Sequence, residues 1–422
     1  MISIDLIRNN LDQLTIALSS KGYNENLDEA VELDSYIRKS LSTANELRAE
    51  RNKVSDQIAL IKKKGGDAQG MIKSMREVGE SIKKIENKIG ISKEKLEDIL
   101  LNVPNPPHNS VPIGNDEKEN KVVSIWGEDI SFNFDIKSHV EIGNQLGLFD
   151  FDQASKISGS GFPLYKSKGA LLERGLINFM LDFQTNNNGY TEIFPPFLVN
   201  STSALTTGNL PKFSEDMYHS EIDNLWLIPT AEVPITSYHR DQILSENQLP
   251  KKYAAFSACF RREAGSYGKE TRGLLRVHQF NKVELVQFVN PNESYKVLEE
   301  LTSHAEEILR SLKLKYRKVE LCSGDLSFSA AKCFDLEVWS PAEEKWLEVS
   351  SCSNFEDFQA RRGNIRYRKS SDEKVEFVHT LNGSGLATPR LMVALLETYQ
   401  NKDGSVQVPD VLQDYIKLKI ID

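Results

Sequence analysis

The sequence predicts an α+β protein in two parts: an N-terminal antiparallel α-helical hairpin, and a larger unit whose antiparallel sheet is flanked by helices. Three observations carry this. Apolar residues recur at steps of three and four through the N-terminal quarter, a cluster of prolines then interrupts, and beyond it strand-like runs adjoin one another before a helix intervenes. At 422 residues the chain is also too long for one ordinary core.

The hairpin comes first. Met75, Val78, Ile82, Ile85, Ile89, Leu96 and Ile99 fall at alternating steps of three and four with one step of seven, the spacing of a coiled-coil seam. Ile37, Leu41, Ala44, Leu47, Val54, Ile58 and Ile61 keep a looser version, and KKKGGDAQG (Lys62 to Gly70) breaks the two apart at a glycine turn. At 1.5 Å per residue a first helix of about 35 residues reaches roughly 50 Å, more than a buried helix needs, so a hairpin over about 27–101 is expected to project. Net charge is −9, yet Ser35 to Asp98 carries 15 Lys+Arg against 10 Asp+Glu, leaving 37 against 51 elsewhere. A basic hairpin fits either an oligomerisation zipper with a solvated exterior or an anionic partner, and the three lysines at the turn favour the partner.

NVPNPPHNSVPIGNDEKEN follows, and four prolines within nine residues forbid a helix or central strand, which places a domain boundary between 1–112 and 113–422. Strand-like runs after it are YTEIFPPFLV, YAAFSACFRRE, VELVQFV and EKWLEVSSCS; helical ones are GALLERGLINFMLDFQ, ESYKVLEELTSHAEEILRSL and LMVALLETYQ. With 39% hydrophobic and 27% charged residues, no apolar run near the roughly 18 residues of a membrane span, and no basic or apolar leader in MISIDLIRNN, a cytoplasmic protein without a membrane partner is expected. Cys259, Cys322, Cys333 and Cys352 form no C-x-x-C pair and have no nearby His at zinc-ligand spacing, so they are expected to be free thiols.

FRREAGSYGKETRGLLRVHQFNKVEL (Phe260 to Leu285) concentrates the chemistry. Alternation along a strand turns Arg261 and Glu263 one way, and likewise Arg276, His278, Phe280, Lys282 and Glu284, with the loop AGSYGKETRG closing a hairpin. Arginine forks bind phosphate oxygens, a phenyl ring stacks on a base and a carboxylate accepts from an ammonium group. An exposed face laced with cross-strand ion pairs would look the same in isolation. Further along, LWLIPTAEVPI places Thr230 and Glu232 on one side of an extended segment, LEVSSCSN sets Glu348 near Ser350 and Ser351, and HTLNGSGLATPRLMVALLE runs from a strand into a helix with Arg390 in its first turn, where free N–H groups favour anions.

FRRE with TRGLLRVHQFNKVELV resembles the second signature of the class II aminoacyl-tRNA synthetases, and GLATPR the third. Together with TAEVP, LEVSSCSN, NVPNPPHNSVPIG and the hairpin, the whole chain resembles a seryl-tRNA synthetase of the bacterial type. The resemblance implies a class II synthetase antiparallel sheet, a homodimer whose interface is formed around GYTEIFPPFLV, and an arm that binds tRNA(Ser), with tRNA(Sec) a second candidate. It implies activation of L-serine by ATP with Mg2+, followed by transfer to tRNA. Arg261, Arg276 and Arg390 would be catalytic. ATP would contact Arg261, Arg262, Glu263, Arg276, Val277, Phe280, Glu348, Val349, Ser350, Ser351 and Arg390. Serine would contact Thr230, Ala231, Glu232, Arg261, Glu284, Asn382 and Ser384, with Glu284 pairing its ammonium. Glu348 and Ser351 would hold magnesium, although a straight strand turns them to opposite faces, so a bulge or bend is required there.

Three positions depart from the family pattern: Gly161 where arginine is frequent, Asn209 where glutamine is common, and Arg262 at a variable position. Two rivals are a synthetase-like RNA-binding protein without catalysis, which predicts gaps in the ATP set, and the zinc-dependent archaeal form, which predicts another N-terminal domain and a Cys-rich site. Neither pattern is present, and no zinc is expected.

Overall fold

The computed structural model describes residues 1–263, 272–370 and 373–422, so most of the loop AGSYGKETRG lies outside the described residues. Two compact units result, one of Ile2–Ser19 and Tyr23–Pro104, the other of Met1, Ser20–Gly22 and Asn105–Asp422. No helix of the described residues is long and apolar enough to cross a membrane.

The smaller unit holds α1 (Ile4–Ser19), α2 (Asp28–Lys63) and α3 (Gln69–Asn102). On α3 the seam forms as its spacing predicts, with Ile82, Ile89 and Leu96 buried. On α2, Ile37 and Ala44 are buried, but Leu41, which keeps the seam spacing to both, is 37% exposed. One polar group enters this core. Asp34 accepts from Arg8 Nε and Nη2 and from Arg38 Nε, each at 2.9 Å, which ties α1 to α2. The hydrogen bonds from Arg8 hold the Asp34 carboxyl below its usual range despite burial.

The division falls at Pro104–Asn105 rather than at 112. Asn105 N–H donates to the Phe328 carbonyl at 2.9 Å and His108 N–H to that of Ala331 at 2.8 Å, so the proline segment, unable to form its own ladder, is bonded onto the larger unit.

That unit is built on eight strands: β1 (Lys121–Trp126), β2 (Thr191–Glu192), β3 (Lys251–Phe260), β4 (Gln279–Val289), β5 (Tyr316–Glu320), β6 (Lys332–Ser340), β7 (Lys345–Asn354) and β8 (His379–Ala387), in the spatial order β1-β5-β6-β7-β8-β4-β3-β2. Neighbours are antiparallel except β2, which runs parallel to β3 through Thr191–Tyr253 and Glu192–Ala254, so the sheet is mixed at one edge. Pro195 and Pro196 follow β2 after two residues, and the chain re-enters the sheet only at β3, after the long connection a parallel pair needs. The β3–β4 hairpin pairs Lys251 with Phe288 through to Phe260 with Gln279. One sheet face packs on α4 (Lys168–Asn187), α5 (Ser294–Ser311) and α6 (Thr388–Thr398). Leu172, Leu176 and Met180 of α4, Leu298, Leu301 and Ile308 of α5, and Leu391 and Leu395 of α6 meet Val283, Leu285, Leu336, Val338 and Leu381 there. With that face filled, the alternate residues of β4, β7 and β8 are left to line the other.

Candidate active site

A cavity of about 620 Å3 lies against the open sheet face. β4 contributes Phe280 and Lys282, β7 Glu348, Val349 and Ser351, and β8 Asn382 and Ser384. Loops and helix starts complete it with Thr230, Glu232, Arg261, Glu263, Arg276, Val277 and Arg390. Four expected contacts lie elsewhere. Ala231 is fully buried in a neighbouring apolar cluster. Arg262 donates its N–H to the Asp216 carbonyl at 3.0 Å and sets its guanidinium 5.8 Å from the Tyr218 ring. Ser350 falls on the opposite side of β7, where its hydroxyl donates to the Ser384 carbonyl at 2.6 Å. Glu284, expected to meet an ammonium, is fully buried outside the cavity lining. Lys282, Thr230 Oγ1 at 2.8 Å and Asn382 Nδ2 at 3.1 Å satisfy it.

The acidic end is therefore presented by Glu232. Contrary to the extended segment expected, Glu232 opens a short helix (Glu232–Ser237) just after Thr230, and its N–H donates to Thr230 Oγ1 at 3.2 Å. Gln359 Nε2 donates to one carboxylate oxygen at 2.6 Å and Asn382 Nδ2 to the other at 2.8 Å. Burial, reinforced by the negative charge of Glu284, pushes the Glu232 carboxyl up to about 7. Asn382 Oδ1, buried at the same wall, has no hydrogen-bond partner among the described residues. An acceptor of that kind in a cavity wall is suited to a donor brought by a ligand.

The basic end is set by three arginines. Arg261 donates from Nε to the Pro229 carbonyl at 3.4 Å and lies 5.1 Å from the centre of the Phe280 ring. Arg276 and Glu263 approach to 2.7 Å as an ion pair whose Nε–H is not aligned for a hydrogen bond. Arg390, in the first turn of α6 as expected, donates to the Leu275 carbonyl at 3.1 Å and the Glu348 carbonyl at 3.2 Å. One strand expectation fails: β4 begins at Gln279, so Arg276 and His278 precede it, and only Arg276 of the two reaches the site. His278 N–H donates to the Gly161 carbonyl at 2.7 Å. Gly161 has φ +81°, and a Cβ there would lie 2.6 Å from the His278 ring, which leaves no room for the arginine frequent in the family. Asn209 does line the cavity, accepting from Thr207 Oγ1 at 2.7 Å.

β7 carries the required bulge. Glu337 of β6 opposes Glu348, the next residue Leu336 opposes Ser350, and Val349 is the extra residue. Glu348 and Ser351 thereby reach the same wall. A carboxylate and a hydroxyl on one surface are hard oxygen donors of the kind magnesium takes. Asp335, directly opposite Ser351, lies beside them, and burial together with Glu348 pushes its carboxyl well up. Sequence reading missed Asp335, although the alternation in KCFDLEV signals it by placing Asp335 and Glu337 on one face. Gln359 and its bond to Glu232 carried no sequence signal. All four cysteines are free and buried.

Two protein families match the sequence: the seryl-tRNA synthetase N-terminal domain over residues 1–107, and the tRNA synthetase class II core domain (G, H, P, S and T) over 214–399. The serine–tRNA ligase of Chlorobium phaeovibrioides is 53% identical over 423 residues, covering 98% of either chain. Among solved structures, seryl-tRNA synthetase from Pyrococcus horikoshii complexed with ATP superposes with a TM-score of 0.94 at 38% identity, covering 100% of this chain and 99% of that one. The cytoplasmic serine–tRNA ligase of Naegleria fowleri in complex with AMP gives 0.88 at 28% identity over the same shares. By sequence identity over its full length, by both domain families and by its fold, the chain belongs to the seryl-tRNA synthetases of class II.

Proposed function

We propose that the chain activates L-serine with ATP and transfers the seryl group to tRNA(Ser). The observation that carries the serine pocket is the unpartnered Asn382 Oδ1 beside the Glu232 carboxylate, an acceptor pair for an ammonium and a hydroxyl in the wall of a cavity that also presents Arg261, Arg276 and Arg390. The serine carboxylate attacks the α-phosphorus, the bond to the pyrophosphate oxygen breaks, and a ribose hydroxyl of tRNA later displaces AMP from the acyl carbon. Arg261 holds the carboxylate and α-phosphate, Phe280 stacks on adenine, and Arg276 and Arg390 hold the remaining phosphates or cover the purine. This is catalysis by positioning and charge stabilisation, which needs no protein nucleophile. Glu348 and Ser351 fit Mg2+, which when bound neutralises phosphate charge. The N-terminal unit serves as the tRNA-binding domain and the protein works as a cytoplasmic homodimer. Phe194, 72% exposed beside the proline pair, supports the dimer.

ATP–pyrophosphate exchange with each amino acid in turn tests this reading. Serine should support exchange, with alanine rejected by about 10⁴ because it strands the polar groups built for the hydroxyl. Equal exchange with alanine would show that the hydroxyl is not read.

A pH dependence follows from Glu232. Its folded-state pKa is raised, so its contribution to stability is fully present below the ordinary carboxylate value and is lost as pH rises through about 7. Serine binding runs the other way, since receiving an ammonium requires the ionised form. KM for serine should fall as pH rises towards about 7, by up to roughly tenfold per pH unit, and level off above it. Glu232→Gln should raise KM and flatten the profile; a wild-type profile without an inflection near neutrality would count against this role.

A further inference from the structure

We infer that His139, which does not itself line the cavity, is a positioning residue for nucleotide binding, resting on the nucleotide reading of the cavity given above. His139 is fully buried at the start of the helix His139–Leu146. Its Nε2 lies 3.3 Å from the N–H of Leu274 and accepts from it, so the ring proton sits on Nδ1 and is donated to Glu397 Oε1 at 3.1 Å. Glu397 is itself fixed. The His139 N–H donates to Oε1 at 3.0 Å, while Oε2 accepts from the Ser340 hydroxyl and from Ala342 N–H at 3.2 Å. One tautomer satisfies every partner, as a relay from Glu397 through the imidazole to a backbone amide.

The amide it reaches explains the effort. Leu274 and Leu275 precede Arg276 and Val277 and line the cavity with them. The carbonyl of Leu275 accepts from Arg390, in the first turn of α6, and the N–H of Leu274 is held through His139 by Glu397, in the last turn of the same helix. Two adjacent residues are thus clamped by the two ends of one helix. Gly273 closes the fit: its φ is +61°, and a Cβ there would lie 2.3 Å from His139 Nε2. Removing the acceptor at Nε2 frees one side of the clamp and lets the turn that carries Arg276 wander, without touching the acidic end where serine is read.

Two variants of the full chain separate this from a general packing role. His139→Asn keeps a donor near Glu397 but loses the acceptor, whereas His139→Gln places an amide oxygen near the position of Nε2. In ATP–pyrophosphate exchange, His139→Asn should raise KM for ATP about tenfold, the scale of one buried hydrogen bond, while KM for serine stays within about twofold, and His139→Gln should restore the wild-type value. Should His139→Asn fail to fold, Gly273→Ala presses on Nε2 from the other side and should raise KM for ATP in the same selective way. The inference is overturned if KM for ATP stays unchanged in the variant that folds, if His139→Gln is as impaired as His139→Asn, or if both KM values rise together with a fall in Tm. Unchanged variants beside an active wild type leave the nucleotide reading standing; a wild type without serine-dependent exchange removes both.

Discussion

Replacing Arg261 with alanine is expected to lower kcat/KM for serine-dependent ATP–pyrophosphate exchange by about 10²–10³-fold, the loss typical of removing one preorganised group aimed at developing charge. The side chain is exposed just beyond the end of β3, and among the described residues its guanidinium donates only to the Pro229 carbonyl. It is therefore available to a ligand, and its truncation leaves no buried charge unpaired. Thermal unfolding should shift by no more than about 2 °C, since surface substitutions usually stay within ±0.5 kcal/mol. Arg261→Lys should recover little, because an ammonium cannot reproduce a planar fork shared between a carboxylate and a phosphate. Exchange within threefold of wild type in Arg261→Ala would remove this residue from the reaction.

Deleting residues 27–101 should leave serine activation close to wild type while charging of tRNA(Ser) collapses, which aminoacylation and exchange assays on the same preparation would show. Structure supports the separation, since α2 and α3 belong to a compact unit that contains none of the cavity-lining residues. Charge supports the partner. Around the turn, Arg48, Arg51, Lys53, Lys62, Lys63, Lys64, Lys73 and Arg76 stand against Glu50, Asp56 and Asp67, a local excess of +5. Every RNA phosphate left without its cation flattens the log–log salt dependence of binding by about 0.7–0.9, so neutralising Lys62, Lys63 and Lys64 should remove roughly one to three such steps. The readout on the RNA is expected to be mainly of shape and backbone, because A-form helices hide their base edges in a deep groove. A zipper would behave differently: deletion would yield monomers with weak activation, and the triple-lysine variant would keep its slope.

Periodicity made the hairpin legible because a coiled-coil seam repeats many times, so one exposed residue, Leu41, does not hide the pattern. The bulge in β7 was legible for a different reason. Glu348 and Ser351 stand three apart, and the family resemblance assigns both to one metal, which at that spacing demands one extra residue between them. Where the reading failed, tertiary packing decided. Glu284 alternates correctly with Phe280 and Lys282, but strand alternation cannot say how deep a position lies, and Lys282 and Asn382 close over it. Arg276 and His278 continue the same alternation on paper; the strand ends at Gln279 because His278 is drawn to the Gly161 carbonyl, a partner far back in the chain. His139 offered no local signal at all, since its partners Leu274 and Glu397 are distant in sequence.

The strand order also bears on how the chain is assembled during synthesis. α2 and α3 are neighbours in sequence, so the unit they form is complete once Pro104 has emerged. The sheet is not. β1 waits for β5, and the two middle strands β7 and β4 are joined only when β8, nearly the last strand made, slips between them. At translation rates of about 5–20 residues per second, β4 stands without β8 for roughly 5–20 s, one hydrogen-bonding edge unpaired on a nascent chain. The interval exposes an apolar, β-rich edge at the point where chaperones act, so truncations that end before His379 should be the most aggregation-prone lengths of this protein.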